Sequence, residues 1–175
     1  QLSCMNIISS ALNIAHVLKL EKKDKGINIM PLFHIHGLIA SLLSSIVTGS
    51  SLVCTSGFNA LTFYGSLRNF NPTWITAVPT MYQAILSRAS RNKEIIQSSN
   101  LRFLRSSSAA MPVATIETLE NVFQCPVIEA YGMTEASHQM ASNFLDGIRK
   151  AGSVGKSAGP EIALFKDNKL ITVPN

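Results

Sequence analysis

Residues 101–135 read LRFLRSSSAAMPVATIETLENVFQCPVIEAYGMTE, and this stretch decides the fold. It opens on a short apolar run, 101–104, of strand length. A loop of small residues follows, Ser106-Ser107-Ser108-Ala109-Ala110. Pro112 then stands at a helix start, where its missing N–H leaves no bond unmade. Val113, Ile116, Leu119 and Phe123 recur at helical spacing and predict an amphipathic helix over 112–123. A second apolar run, 126–131, predicts another strand. Strand, loop, helix and strand make one crossover unit, whose strands lie parallel with a right-handed connection.

The alternation continues towards the N-terminus. Residues 2–20 read as a helix with Ile7, Leu12, Ala15, Val17 and Leu18 on its apolar face, ended by the charged 21–25 and Gly26. Strands are expected at 27–30, 51–54 and 74–78, the last stopped by Pro79. Helices are expected at 37–47, 60–70 and 80–89, the third with Met81, Tyr82, Ile85, Leu86 and Ala89 on one face. Past Gly152 the texture changes, and 161–165 with 169–173 read as a hairpin around Asp167 and Asn168. The expectation is an α/β protein: a mostly parallel sheet with flanking helices over 1–150, then the start of a β-rich subdomain over 151–175.

Composition narrows the partners. Charged residues are 14% of the 175, against about 25% in a typical soluble domain, so the segment lies deep in a larger protein or touches a membrane. Residues 37–54 invite the membrane reading. Ser41, Ser44, Ser45, Gly49, Ser50 and Ser51 instead break them into helix, turn and strand, so no membrane span is expected. The net charge of +5 contains no basic run, since Lys22, Lys23 and Lys25 alternate with Glu21 and Asp24. No nucleic-acid motif accompanies it, and no nucleic-acid partner is expected. Cys4, Cys54 and Cys125 are widely spaced and odd in number, which speaks against a disulfide framework or structural zinc and for a reducing, intracellular compartment.

In open parallel sheets, ligands bind beyond the carboxyl ends of the strands. The segment after 126–131 is dense in chemistry there. Tyr131 offers a face for a base, Gly132 lets backbone approach a ligand, and the Thr134 hydroxyl can donate to a phosphate oxygen. Glu135 is a hard oxygen ligand suited to Mg2+. A plain strand-end turn would account for the same five residues. The loop 106–110 would let a flat ligand or an anion lie close, though a tight strand-to-helix turn explains it as well. His34 and His36 form an H-x-H pair, which on a strand points both rings to one side, as a metal site would need. Only His138 offers a third imidazole and no acid is near in sequence, so a ring that binds acid or phosphate, or a core histidine, fits better. His16 stands alone on a helix and receives no role. Residues 152–157 mimic a phosphate-binding P-loop but carry Lys150 where that motif needs its first Gly.

Taken together, Met30-Pro31-Leu32-Phe33-His34 with Gly37, the loop ending in Ala109-Ala110, Tyr131-Gly132-Met133-Thr134-Glu135, and Gly152-Ser153-Val154-Gly155-Lys156 stand in that order. The set resembles the acyl-adenylate-forming (AMP-binding) superfamily along essentially the whole chain. Within it, residues 31–38, 76–80 and 129–138 are most similar to oxalate–CoA ligases, including peroxisomal CoA-synthetase-like proteins.

The resemblance implies part of the large N-terminal domain of an ATP-dependent, AMP-forming acid–CoA ligase. An acid carboxylate would attack the α-phosphate of ATP, and CoA would then displace AMP. Tyr131 would stack on adenine beside Gly132 and the backbone of Ser108, Ala109 and Ala110. Thr134 would hold the α-phosphate, Glu135 would bind Mg2+, and His34 would line the acyl pocket. Relatives with bulky substrates carry Gly where this chain has Ala130. With Ser107 and His138, that methyl suits a small diacid such as oxalate, while fatty and aryl acids stay open. The family's Lys-containing phosphate loop would lie before Gln1, and its Thr-Gly-Asp segment and small C-terminal domain after Asn175. The chain therefore reads as a central piece, inactive by itself. A non-catalytic nucleotide-binding remnant and an adenylation domain serving a carrier protein are the alternatives. Compartment (cytoplasmic or peroxisomal) and oligomeric state are left open.

Overall fold

The computed structural model describes residues 1–171. Helix α1 (Cys4–Val17) starts on a reciprocal cap, in which Ser3 Oγ accepts from the Asn6 amide and Asn6 Oδ1 accepts from the Ser3 amide. Strand β1 (Lys25–Asn28) follows, then a π-helix (His36–Leu43) that runs into the short α2 (Ser44–Val47). The order continues β2 (Ser51–Cys54), α3 (Phe63–Phe70), β3 (Trp74–Ala77), α4 (Pro79–Leu86), α5 (Lys93–Gln97), β4 (Phe103–Ser106), α6 (Val113–Phe123) and β5 (Val127–Met133). Strands β6 (His138–Ser142) and β7 (Lys156–Ser157) precede a hairpin of β8 (Leu164–Lys166) and β9 (Lys169–Ile171).

The main sheet has the order β2-β1-β3-β4-β5-β6-β7. Its first five strands are parallel, and β6 and β7 add antiparallel pairs. The α/β architecture is therefore the one expected. Register divides the residues between two faces. Ile27, Ile75, Leu104 and Val127 line up across four strands and pack against α3, α4, α5 and α6. The opposite face carries Trp74 beside Phe103, with Ile128, and packs against Ala11 and Ile14 of α1 and Ile39 and Ala40 of the π-helix. Pairs of this kind are what bury both faces of a parallel sheet.

Three local differences have physical causes. The helix expected over 37–47 starts at His36 as a π-helix, in which the Ser44 amide reaches back to the Ile39 carbonyl. Ser44 Oγ and Ser45 Oγ donate to the carbonyls of Ala40 and Ser41, so side-chain hydroxyls take up main-chain acceptors in this turn. The H-x-H pair is not on a strand, because His34 lies in a turn and His36 opens the helix. The strand expected over 101–104 is shifted, so Arg105 lies inside β4 rather than beyond it. The hairpin lies where it was read, and residues 172–173 of its expected second strand fall outside the described residues. No helix among the described residues is long and apolar enough to cross a membrane.

Candidate functional site

Beyond the carboxyl ends of β4 and β5 lies a cavity of about 360 Å³. Ser108, Ala109 and Ala110 form one wall, and Ala130, Tyr131 and Gly132 the other. Tyr131 is 46% exposed, which leaves it open to a flat partner. Ser108 is held at φ 74°, a left-handed conformation that costs a non-glycine residue about 1–3 kcal/mol. Ser137 and His138 share that strain, at φ 54° and 89°. Of the three, Ser108 lines the cavity, while Ser137 and His138 sit at the turn into β6.

Ser107 and Ser108 divide their work. Ser107 is buried and its hydroxyl donates to the Ala130 carbonyl at 2.9 Å, which ties the β4 loop to β5. Ser108 is exposed and lines the cavity. On the cavity's other flank, Glu129 is buried and accepts from the Gly152 amide at 2.8 Å. Burial raises its pKa, against hydrogen bonds from the amides of Gly152 and Met111.

A polar row crosses the sheet on the face turned to α1. Asn28, Thr76 and Arg105 are register partners on β1, β3 and β4. Arg105 is fully buried. Its Nη1 donates to Thr76 Oγ1 at 3.2 Å, and its Nη2 lies 3.1 Å from Gln139 Oε1 and 3.2 Å from His138 Nε2. Its Nε has no partner, and it forms no ion pair among the described residues. A buried cation without a carboxylate leaves a net positive field at this edge. The His36 ring stacks on His138 with centroids 5.4 Å apart, and joins Thr76 Oγ1 at 2.6 Å and Ser108 Oγ at 2.9 Å. Burial, then the Arg105 charge, push the His36 pKa down to about 3. The same two causes, with His36 third, hold His138 well below the usual histidine range. Both imidazoles are therefore neutral near pH 7.

The sequence pointed to His34 for the acyl pocket. His34 is exposed, with its ring 4.7 Å from that of Phe33, and the imidazole that enters the network is His36. Arg105 and Gln139 were not singled out from sequence. Arg105 had a signal, a charge directly after an apolar run, whereas Gln139 lies in a strand of polar sequence and had none. Thr134 and Glu135 lie on an exposed 3-10 turn, Thr134–Ala136, just past β5. Glu135 also borders a second cavity of about 520 Å³ against α1. Among the described residues no cluster of three His, Cys, Asp or Glu could cage a metal. A single exposed carboxylate fits Mg2+, which keeps waters and is held by one or two carboxylates plus substrate phosphates.

The family described as AMP-binding enzyme matches residues 1–175. The chain belongs to the AMP-binding enzyme family. This family member is 43% identical to an oxalate–CoA ligase of Arabidopsis thaliana over 99% of its own length and 34% of that protein's. To an oxalate–CoA ligase of Saccharomyces cerevisiae it is 42% identical over 97% of its length and 31% of that protein's. The chain spans about a third of the length of these curated relatives. Among solved structures, it superposes on the anthranilate CoA ligase AuaEII in complex with anthranoyl-AMP, with a TM-score of 0.83 at 28% identity, covering 97% of this chain and 33% of that one. A malonyl-CoA ligase with methylmalonyl-CoA and AMP bound gives 0.78 at 31% identity, covering 87% and 33%.

Proposed function

We propose that this chain supplies the nucleotide- and acid-binding part of an ATP-dependent, AMP-forming acid–CoA ligase that acts on a small diacid, oxalate first among them. The Ser108 hydroxyl carries the reading: it lines the cavity and is tied through His36 and Thr76 to the uncompensated Arg105 charge, which suits an arriving anion. Ala130, with its methyl on the cavity wall, keeps the space short. In this reading Tyr131 stacks on adenine between Gly132 and the Ser108–Ala110 backbone, and Thr134 donates to the α-phosphate. The acid's carboxylate oxygen forms a bond to the α-phosphorus, and the bond to pyrophosphate breaks. Mg2+ held at Glu135 would neutralise the phosphate charge. The CoA thiol then displaces AMP as the acyl group moves to sulfur. Residues 1–150 form the central α/β part, and 151–175 open a β-rich part. Three unpaired cysteines support an intracellular setting, cytoplasmic or peroxisomal.

The test is acid-dependent pyrophosphate release by the intact protein with ATP and Mg2+, using oxalate, malonate, benzoate and a long-chain fatty acid. Release with oxalate above the others, followed by CoA-dependent AMP formation, is the expected result. Release without CoA consumption would transfer the reading to a carrier-protein acceptor. No release with any acid, despite nucleotide binding, would reduce the protein to a nucleotide-binding remnant.

A further inference from the structure

The contacts around Arg105 fix where the protons lie. A guanidinium can only donate. His138 Nε2, 3.2 Å from Arg105 Nη2, must therefore accept, and the neutral ring carries its proton on Nδ1. Thr76 Oγ1 is buried and has two partners among the described residues, Arg105 and His36. It accepts from Arg105, so its own proton goes to His36 Nε2 at 2.6 Å. His36 then also holds its proton on Nδ1, and donates it to Ser108 Oγ at 2.9 Å. The Ser108 oxygen is an acceptor in that bond. Its own O–H is left for the cavity that Ser108 lines.

We propose that Arg105 is a positioning residue that polarises the relay Arg105 to Thr76 to His36 to Ser108, so that the cavity presents a committed O–H donor to the ionised carboxylate of the acid. A site oriented this way accepts carboxylate oxygens and disfavours a group that itself brings N–H donors. Two features hold the relay in place. Tyr82 donates its hydroxyl to the Arg105 carbonyl at 2.8 Å, which pins β4 from the opposite face. The left-handed backbone at Ser108 aims its side chain back to His36. The choice of acid rests on the proposed ligase reading, while the proton positions do not.

The experiment uses the intact protein labelled with 15N-histidine and long-range proton–nitrogen correlation, which reads each ring's tautomer. Signals of the four histidines are assigned with His16→Gln and His34→Gln, both outside the relay. In the unmodified protein, His36 and His138 should both be neutral with the proton on Nδ1. Arg105→Met should turn His138 towards the Nε2-protonated form, and Arg105→Lys should restore part of the original signal. Thr76→Val should shift His36 alone, and it decides the matter if Arg105→Met does not fold. In pyrophosphate release, the preference for oxalate over its amide analogue oxamate should fall about tenfold in Arg105→Met, the loss of one oriented hydrogen bond. Either ring protonated on Nε2 in the unmodified protein would overturn the proposal. So would unchanged tautomers in folded Arg105→Met or Thr76→Val. If no acid supports pyrophosphate release, the ligase reading falls, and the tautomers still decide the relay.

Discussion

Gly155 turns its Cα against the main-chain carbonyl of Ser142, at φ 77°. An added Cβ would overlap that carbonyl, on backbone that L side chains rarely adopt. The contact lets β7 reach β6, where Lys156 pairs with Ser142. Gly155→Ala should lower stability by about 1–3 kcal/mol, read by urea denaturation of the intact protein. Gly65, in α3, meets nothing within 4 Å of an added Cβ. Gly65→Ala should therefore act the other way, adding about 0.5–1 kcal/mol through better helix propensity.

Acid should weaken the sheet through Asp24. Its carboxylate is buried and binds Arg102 at 2.6 Å and the Thr73 hydroxyl at 2.7 Å. Burial raises its pKa, but Arg102, the Glu21 amide and Thr73 together bring it below 3.8. A depressed carboxyl pKa contributes stability that is complete above 3.8 and is lost as pH falls through the lower folded value. Asp24→Asn should remove this acid dependence. It should also cost about 1–3 kcal/mol at neutral pH, because Arg102 and two donors lose their charged acceptor. Urea midpoints measured across acid pH check both.

Nucleotide affinity should depend on the Tyr131 ring. Tyr131→Ala removes a stacking face worth about 1–3 kcal/mol, so AMP binding should weaken by about five- to a hundredfold by calorimetry. Tyr131→Phe should bind as well as the unmodified protein. An unchanged affinity in Tyr131→Ala would move adenine away from this wall.

Glu135 should matter through magnesium. Glu135→Gln keeps the shape and loses the charge. It should raise the Mg2+ concentration needed for half-maximal pyrophosphate release and lower kcat about a hundredfold, the usual cost of losing one group that steadies developing charge. Thermal stability should be unaltered, since Glu135 is exposed. A Mg2+ requirement that does not move would separate Glu135 from the metal.

The crossover unit over 101–135 was legible because helical spacing and strand-length apolar runs are local signals. The rim of Ser108, Ala110 and Tyr131 followed from it, since topology alone places strand ends together. Arg105 escaped because β4 runs two residues past the apolar run, over Phe103–Ser106, so a residue read as the start of the loop is buried inside the strand. That the His36 ring meets Thr76 and Ser108 was not legible, because those partners lie 40 and 72 residues further along the chain. β6 carried no apolar alternation to betray it, because His138 and Gln139 are polar and buried. Both meet Arg105 Nη2, which lies 33 residues earlier in the chain than His138.

That separation sets an order of assembly during synthesis. Arg105 leaves the ribosome well before His138 and Gln139 do. Until those two arrive, its Nη2 has neither of its partners from β6, and water is the only substitute. The sheet then has reason to stay hydrated along this row while α6 and β5 are being made. Closure on the α1 side would come as one late event, when β6 docks and the guanidinium exchanges water for protein.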